Sequence, residues 1–150
     1  MLWPVSGYAD WNEEVELLLA RAHPPDGVVF EIVSDEPDFL SYVLPDVRDA
    51  AKRLRQRFPG LSLAVVTHGI EQFALMEENR ADFQELHASV EAMSRSGDIP
   101  VHVCGTHAGW RGVTPEEFSD YVDVAAVGPA QVNDYLALGY VLVLVEDSSF

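Results

Sequence analysis

The fold is decided by the stretch GVVFEIV at Gly27–Val33, which is β-branched and almost continuously apolar. A strand of this composition is typical of the centre of a parallel sheet, because helices cover both faces there. Further strands are predicted outward from it at Leu61–Thr67 (LSLAVVT), Ile99–Cys104 (IPVHVC), Asp123–Val127 and Tyr140–Val145. The pattern therefore predicts a mainly parallel sheet of five strands.

The segments between these strands are predicted to be helical. Trp11–His23 is amphipathic, Asp10 is a plausible N-cap, and Pro24 and Pro25 end the helix. Strands and helices alternate along all 150 residues, which indicates one α/β domain, residues 1–150, with helices on both faces of the sheet. Another helix is predicted at about Pro45–Phe58 with Pro45 near N1, and residues 38–44 are either one more turn or a loop. The remaining helices are predicted across Ile70–Arg95 with a break near 77–81, from Thr114, and over Gly128–Gly139.

Composition excludes several classes of partner. The chain carries 25 acids against 9 bases, a formal net charge of −16, and such a surface repels nucleic acids and anionic membranes. No apolar run has the roughly 20 residues of a membrane helix, and Met1–Pro4 lacks the basic region of a secretory signal. A single cysteine fits a reducing compartment. We therefore expect a cytoplasmic protein with neither a nucleic-acid nor a membrane partner.

Two stretches contain no acid at all. Ala50–Ile70 holds Lys52 and three arginines, and Ile99–Pro115 holds Arg111 and two histidines. Each includes a predicted strand that ends in a candidate functional loop. If the two strands are neighbours, their ends form a neutral-to-positive pocket, which would favour a thiolate or another anionic sulfur species.

Familiar cofactor motifs are missing. The loop after the first strand, Ser34–Asp38, is acidic and lacks the glycines that hold a dinucleotide pyrophosphate. Gly105, Gly109 and Gly112 have the wrong spacing for that fingerprint, and there is no P-loop and no G-x-S-x-G elbow. We therefore expect no nucleotide, flavin or other cofactor.

The candidate site lies around Cys104, the lone cysteine, at the end of the third strand. We expect its sulfur at the carboxyl edge of a central strand, at least partly accessible. A thiolate there is a nucleophile if cations or backbone N–H groups stabilise it. The plain alternative is a buried core cysteine. Zinc is a weaker alternative, from the C-x-x-H spacing of Cys104 and His107, and we assign no metal. The accompanying site residues are His68, Gly69, His102, Gly105, His107 and Arg111.

The order of these segments resembles the DsrE/DsrF-like superfamily, which includes sulfur-relay proteins. The resemblance rests on VVTHG at Val65–Gly69, VHVC at Val101–Cys104 and RGVTPEEF at Arg111–Phe118. It continues through VGPAQV at Val127–Val132 to the closing strand, and the helix around 11–23 looks like an addition to the family pattern.

The resemblance implies a flavodoxin-like three-layer α/β sandwich that assembles into trimers or hexamers. It also implies that Cys104 holds sulfane sulfur as a persulfide between a donor and an acceptor protein or thiol. We therefore expect a sulfur carrier, similar to a sulfurtransferase. The alternative is a non-catalytic oligomeric module that binds a small ligand or a protein in the same pocket, because some members of the family lack the cysteine.

Overall fold

The computed structural model describes residues 8–147, which form five parallel strands in one sheet. The strand order is β4-β3-β2-β1-β5, and the predicted parallel five-stranded α/β fold is confirmed. The strands are β1 (Gly27–Val33), β2 (Leu63–Thr67), β3 (Val101–Cys104), β4 (Asp123–Ala125) and β5 (Tyr140–Glu146).

Helices connect the strands. They are α1 (Tyr8–Leu19), α2 (Phe39–Arg57), α3 (Gln84–Glu91), α4 (Gly105–Trp110) and α5 (Gly128–Ala137). Short 3₁₀ turns lie at Ile70–Leu75, Glu77–Asn79 and Pro115–Glu117, and α3 continues as a π-helical turn over Ala92–Ser96. No helix among the described residues is long and apolar enough to cross a membrane.

The two faces of the sheet have separate cores. On one face, Val28, Phe30 and Ile32 of β1 belong to a cluster that α1, α2 and α3 cover. On the other face, Val29 packs in a smaller cluster with Val132 of α5. Side chains alternate between faces along a strand, so β1 supplies both cores, and each fully buried side chain of this size contributes about 1.5–3 kcal/mol.

Three of the strands are shorter than predicted. β2 and β3 each begin two residues later, and β4 ends two residues earlier, at Ala125. The helix predicted at Trp11–His23 runs instead from Tyr8 to Leu19.

The helix predicted from Pro45 starts at Phe39, so Pro45 lies inside α2 and not at its first turn. Proline has no N–H and removes one helical hydrogen bond. Leu40, Val43 and Leu44, which precede the proline, are buried against the sheet, and their burial outweighs the lost bond.

The predicted helix from Thr114 is only the 3₁₀ turn Pro115–Glu117. Its capping box is present, with the Thr114 N–H donating to the Glu117 carboxylate at 2.6 Å. The chain becomes extended at Phe118, which is buried and forms an antiparallel bridge with Met76. Burial of Phe118 therefore ends the helix that the local sequence starts.

Candidate functional site

Cys104 is both the last residue of β3 and the N-cap of α4. The thiol Sγ accepts a hydrogen bond from the His107 N–H at 3.4 Å. The predicted position is confirmed, since β3 lies between β2 and β4 and Cys104 is at its carboxyl end. The sulfur thus lies at the start of a short helix, beside a backbone N–H group.

The expected accessibility of Cys104 is wrong, because the residue is only 5% exposed. The cause is α5, whose first residue packs on the site. A Cβ placed on Gly128 would lie 2.7 Å from the His68 Cβ and 3.1 Å from the Cys104 Cβ. Only glycine fits at this approach, and the positive end of the α5 dipole therefore starts beside Cys104.

Gln72 fastens the backbone of Cys104. The side chain is fully buried in the 3₁₀ turn after β2, and its Oε1 accepts the Cys104 N–H at 2.7 Å while its Nε2 donates to the Cys104 carbonyl at 3.2 Å. Sequence reasoning missed this residue. Its only signal is a polar pair, Glu71 and Gln72, directly after the His68-Gly69 strand end.

Glu71 likewise accepts backbone hydrogen bonds, here from the segments that follow β1 and β2. Its carboxylate accepts the N–H groups of Ser34 at 2.7 Å and Gly69 at 2.8 Å, and also the Thr67 hydroxyl. Burial raises the pKa of the Glu71 carboxyl above its usual value, although the hydrogen bonds from Thr67, Gly69 and Ser34 act in the opposite direction.

Gly69 is required by this contact. A Cβ there would meet the Glu71 carboxylate and would lie 2.6 Å from the Ser34 nitrogen. Gly69 therefore shapes the loop and brings no side chain to the site.

The two loop histidines have different partners. His107 Nδ1 lies 2.9 Å from the His68 carbonyl oxygen, so we assign a proton to Nδ1, which donates this hydrogen bond. The His68 ring turns to Glu31 on β1, with Nε2 to Oε2 at 2.8 Å. His107 thus contacts Cys104 through its backbone N–H, and His68 is linked to His107 through its carbonyl.

Aromatic rings surround the His107 side chain. Phe73 meets it edge-on with ring centroids 5.1 Å apart, and the Trp110 ring is 5.9 Å away. The Arg111 guanidinium lies 4.7 Å from the Phe73 ring centroid and forms no ion pair among residues 8–147. His107, Phe73, Trp110 and Arg111 therefore form one aromatic and cationic cluster next to Cys104.

His102 shares a sheet face with Cys104, as predicted, but lies further back along β3. Its Nε2 is 2.7 Å from the Tyr135 hydroxyl of α5. Burial lowers the pKa of the His102 imidazole below its usual value, while the Coulombic effect of Asp123 raises it slightly. The structure thus engages His102 in packing of α5 rather than in the cluster beside Cys104.

The predicted positive pocket forms only in part. β2 and β3 are neighbours, so the two acid-free stretches do meet. However, α2 runs antiparallel to the strands, so Lys52 and the arginines of α2 lie at the amino-terminal ends of the strands. There Arg55 Nε donates to the carbonyl of Leu61, which precedes β2. Beside Cys104 remains His107, and Arg111 lies over the Phe73 ring that contacts His107.

Carboxylate oxygens of Asp35, Glu36 and Asp147 lie within 4.8 Å of one another where β1 and β5 end. Asp35 and Glu36 are exposed, and Asp147 Oδ2 accepts a hydrogen bond from the Ser34 hydroxyl at 3.4 Å. Exposed acids often cluster in this way without a cation, so we assign no metal to them.

Comparison with known proteins gives the fold. No family model and no curated protein matches the chain. MTH1491 from Methanobacterium thermoautotrophicum, a protein of unknown function, superposes with a TM-score of 0.61 at 15% identity, covering 78% of this chain and 96% of its own. The ychN protein from E. coli gives 0.55 at 15% identity, with 80% and 98% covered.

BT1422 from Bacteroides thetaiotaomicron, also of unknown function, gives a TM-score of 0.56 at 16% identity, covering 80% of this chain and 95% of its own. Likeness at this identity shows the fold alone. The chain therefore has the YchN-like α/β fold that these three proteins share.

Proposed function

We propose that this protein is a sulfur carrier that holds sulfane sulfur as a persulfide on Cys104. One observation carries the proposal: the only thiol of the chain caps a helix at the carboxyl edge of a parallel sheet, with an N–H group 3.4 Å from its sulfur. Ligands of open α/β sheets bind at this edge. The resemblance to the DsrE/DsrF-like superfamily supports the same position.

Loading is a thiol–persulfide exchange that balances without an added oxidant. The Cys104 thiolate attacks the outer sulfur of a donor persulfide, a new S–S bond forms, and the S–S bond of the donor breaks. The donor leaves as a thiolate with the electron pair and takes up a proton from water. An acceptor thiolate later attacks the outer sulfur in the same way and restores Cys104.

The surroundings of Cys104 suit an anionic persulfide. The N–H groups at the starts of α4 and α5 and the nearby Arg111 would stabilise the negative charge. His107 Nδ1 donates to the His68 carbonyl, which leaves Nε2 for a hydrogen bond to the persulfide. These residues would tune the sulfur and would not themselves react.

Access requires local opening, since Cys104 is 5% exposed. α4, which follows Cys104 directly in the chain, is a helix of six residues of which only Ala108 is buried, while Trp110 is 79% exposed. A short helix with few buried contacts opens at low cost in free energy. We therefore place the entry of the donor at α4.

The same burial favours a second candidate function, a non-catalytic module in which Cys104 only packs. The two functions predict different chemistry. Incubation with a polysulfide donor, followed by intact-mass analysis, should add the mass of one sulfur atom to the wild type and nothing to Cys104→Ser. Dithiothreitol should remove the added mass. If both proteins stay unmodified while remaining folded, the carrier proposal fails and the binding module replaces it.

Assembly into a trimer or hexamer in a reducing cytoplasm belongs to the same proposal. The net charge of −16 opposes self-association, but salt screens surface charges beyond about 8 Å. Light scattering at micromolar concentration should give three or six chain masses, and a value of one chain mass would contradict it.

A further inference from the structure

A cavity lies far from Cys104, between α2 and the π-helical turn that follows α3. Its volume is about 510 Å³, which is within the range of sites for small organic ligands. Ala51, Met93 and Ile99 form an apolar part of its lining, and all three are buried. Ile99 precedes β3 and Cys104 ends it, so the cavity lies at the amino-terminal ends of the strands and the thiol at their carboxyl ends.

Three cations line this cavity along one stripe of α2. Arg48, Lys52 and Arg55 are spaced by four and three residues, which places them on one helix face. Asp49 also lines the cavity, and three cations against one carboxylate leave the lining with a net positive charge. The rest of the chain is strongly acidic, so the field of this cleft differs in sign from that of its surroundings.

No carboxylate among residues 8–147 forms an ion pair with any of the three cations. Arg55 donates to the carbonyls of Leu61, Gly97 and Asp98. Arg48 Nη1 donates to the Ser89 hydroxyl at 3.0 Å. These acceptors are neutral, so they hold the guanidinium groups in place without neutralising them.

Arg53 shows the contrast. It follows Lys52 on the same helix, points to α1 and pairs with Glu16 at 2.7 Å. The chain has 25 acids for 9 bases, so carboxylates are abundant, yet the cations that line the cavity remain without one. This arrangement leaves their charge available to an anion from outside.

The π-helical turn Ala92–Ser96 forms the opposite wall. The Gly97 N–H donates to the Ala92 carbonyl at 2.8 Å, across five residues, which widens the backbone there. Such turns are rare and recur at functional sites. Here the wide turn presents Ala92 and Met93 to the cavity beneath the cations.

We propose that this cleft binds an organic anion, with a carboxylate or phosphate head on Lys52 and Arg48 and an apolar body over Met93 and Ile99. The head replaces water on cations that have no carboxylate partner, and the body buries apolar surface. The site is independent of sulfur transfer, because it lies at the other edge of the sheet from Cys104.

Titration calorimetry and amide NMR with octanoate, octyl phosphate, octylammonium and 1-octanol test this proposal. Either anion should bind saturably and shift the amide signals of Met93 and Ile99, and added salt should weaken the binding. Octanol and octylammonium, which share the alkyl chain, should bind at least several-fold more weakly. Failure of both anions, equal binding of octanol, or shifts confined to other parts of the protein would overturn the proposal.

Variants assign the site. Lys52 and Arg48 are exposed, so Lys52→Gln should weaken binding about three- to fivefold, as for an exposed charge pair, and the double variant with Arg48→Gln about tenfold or more. Arg53→Gln is the matched control on the same helix and should leave the affinity unchanged. Equal affinities of the wild type and the double variant would refute the assignment. Cys104→Ser should bind the anion normally, so failure of the carrier proposal and failure of this one are distinguishable.

Discussion

Replacing Gln72 by leucine should destabilise the protein and expose Cys104. Leucine has a similar size and an apolar surface, so the buried position is filled, but the Cys104 N–H loses its acceptor at 2.7 Å. A buried donor without a partner costs about 1–3 kcal/mol. The Cys104 carbonyl adds little, because an N-cap carbonyl still accepts the first hydrogen bond of its helix.

Urea unfolding measures the first effect as a lower midpoint with an unchanged slope. The second effect is a faster reaction of the Cys104 thiol with an aromatic disulfide reagent under native conditions. Because Cys104 is the only cysteine of the chain, the rate of this reaction reports opening around Cys104 alone. If the bond to Gln72 breaks in that opening, the rate should rise about 5- to 150-fold, the same 1–3 kcal/mol expressed as an equilibrium.

Gln56→Leu is the matched control, since Gln56 lies exposed on α2. It should change neither the stability nor the rate. This role of Gln72 is refuted if the free energy of unfolding of Gln72→Leu lies within about 0.5 kcal/mol of the wild type, as for an ordinary surface substitution, and Cys104 reacts at the same rate.

Two further predictions concern packing and pH. Gly128→Ala should lower the free energy of unfolding by about 1–3 kcal/mol, because the new Cβ meets His68 and Cys104. Gly109→Ala in α4 is the control, since its Cβ meets open space and the change should be neutral or slightly stabilising. Equal effects of the two variants in thermal unfolding would argue against the close approach of α5. His102 has a lowered pKa in the folded state, so its neutral form contributes stability above about pH 6.5 that is lost as pH falls through the folded value. In urea unfolding, the wild type should therefore lose more stability than His102→Gln between pH 7.5 and 5.5, and parallel losses would contradict the assignment.

The strands could be predicted from the sequence because each is an apolar run bounded by turn residues. β1 has the bounds Gly27–Val33 that its composition predicts, and the capping box at Thr114 also forms. The ends of the helices were harder to predict, because they depend on packing against residues that are distant in the chain. Packing on the sheet extends α2 through Pro45, and burial of Phe118 stops the helix after Glu117.

The position of Cys104 followed from the end of its strand, but its environment did not. Gln72 and Glu71 are buried polar residues whose partners, Cys104 and Ser34, lie more than thirty positions away in the chain. No local pattern encodes such pairings. The burial of Cys104 likewise comes from Gly128, a contact that depends on how α5 crosses the sheet.

The location of the basic residues of α2 also could not be predicted from the sequence. Its lack of acids is visible in the sequence, but the edge of the sheet that it reaches depends on the antiparallel course of the helix. Lys52 therefore lines the cavity between α2 and the π-helical turn and does not lie beside Cys104.

The central claim is that Cys104 accepts sulfur and passes it on. The most direct measurement loads the protein with polysulfide, removes the donor by desalting, and adds glutathione while intact mass is followed. The account predicts a wild-type chain that carries one extra sulfur atom and loses it to glutathione, which appears as its persulfide, while Cys104→Ser never gains it. A folded wild-type protein that gains no sulfur, or that keeps it in the presence of glutathione, would contradict the claim.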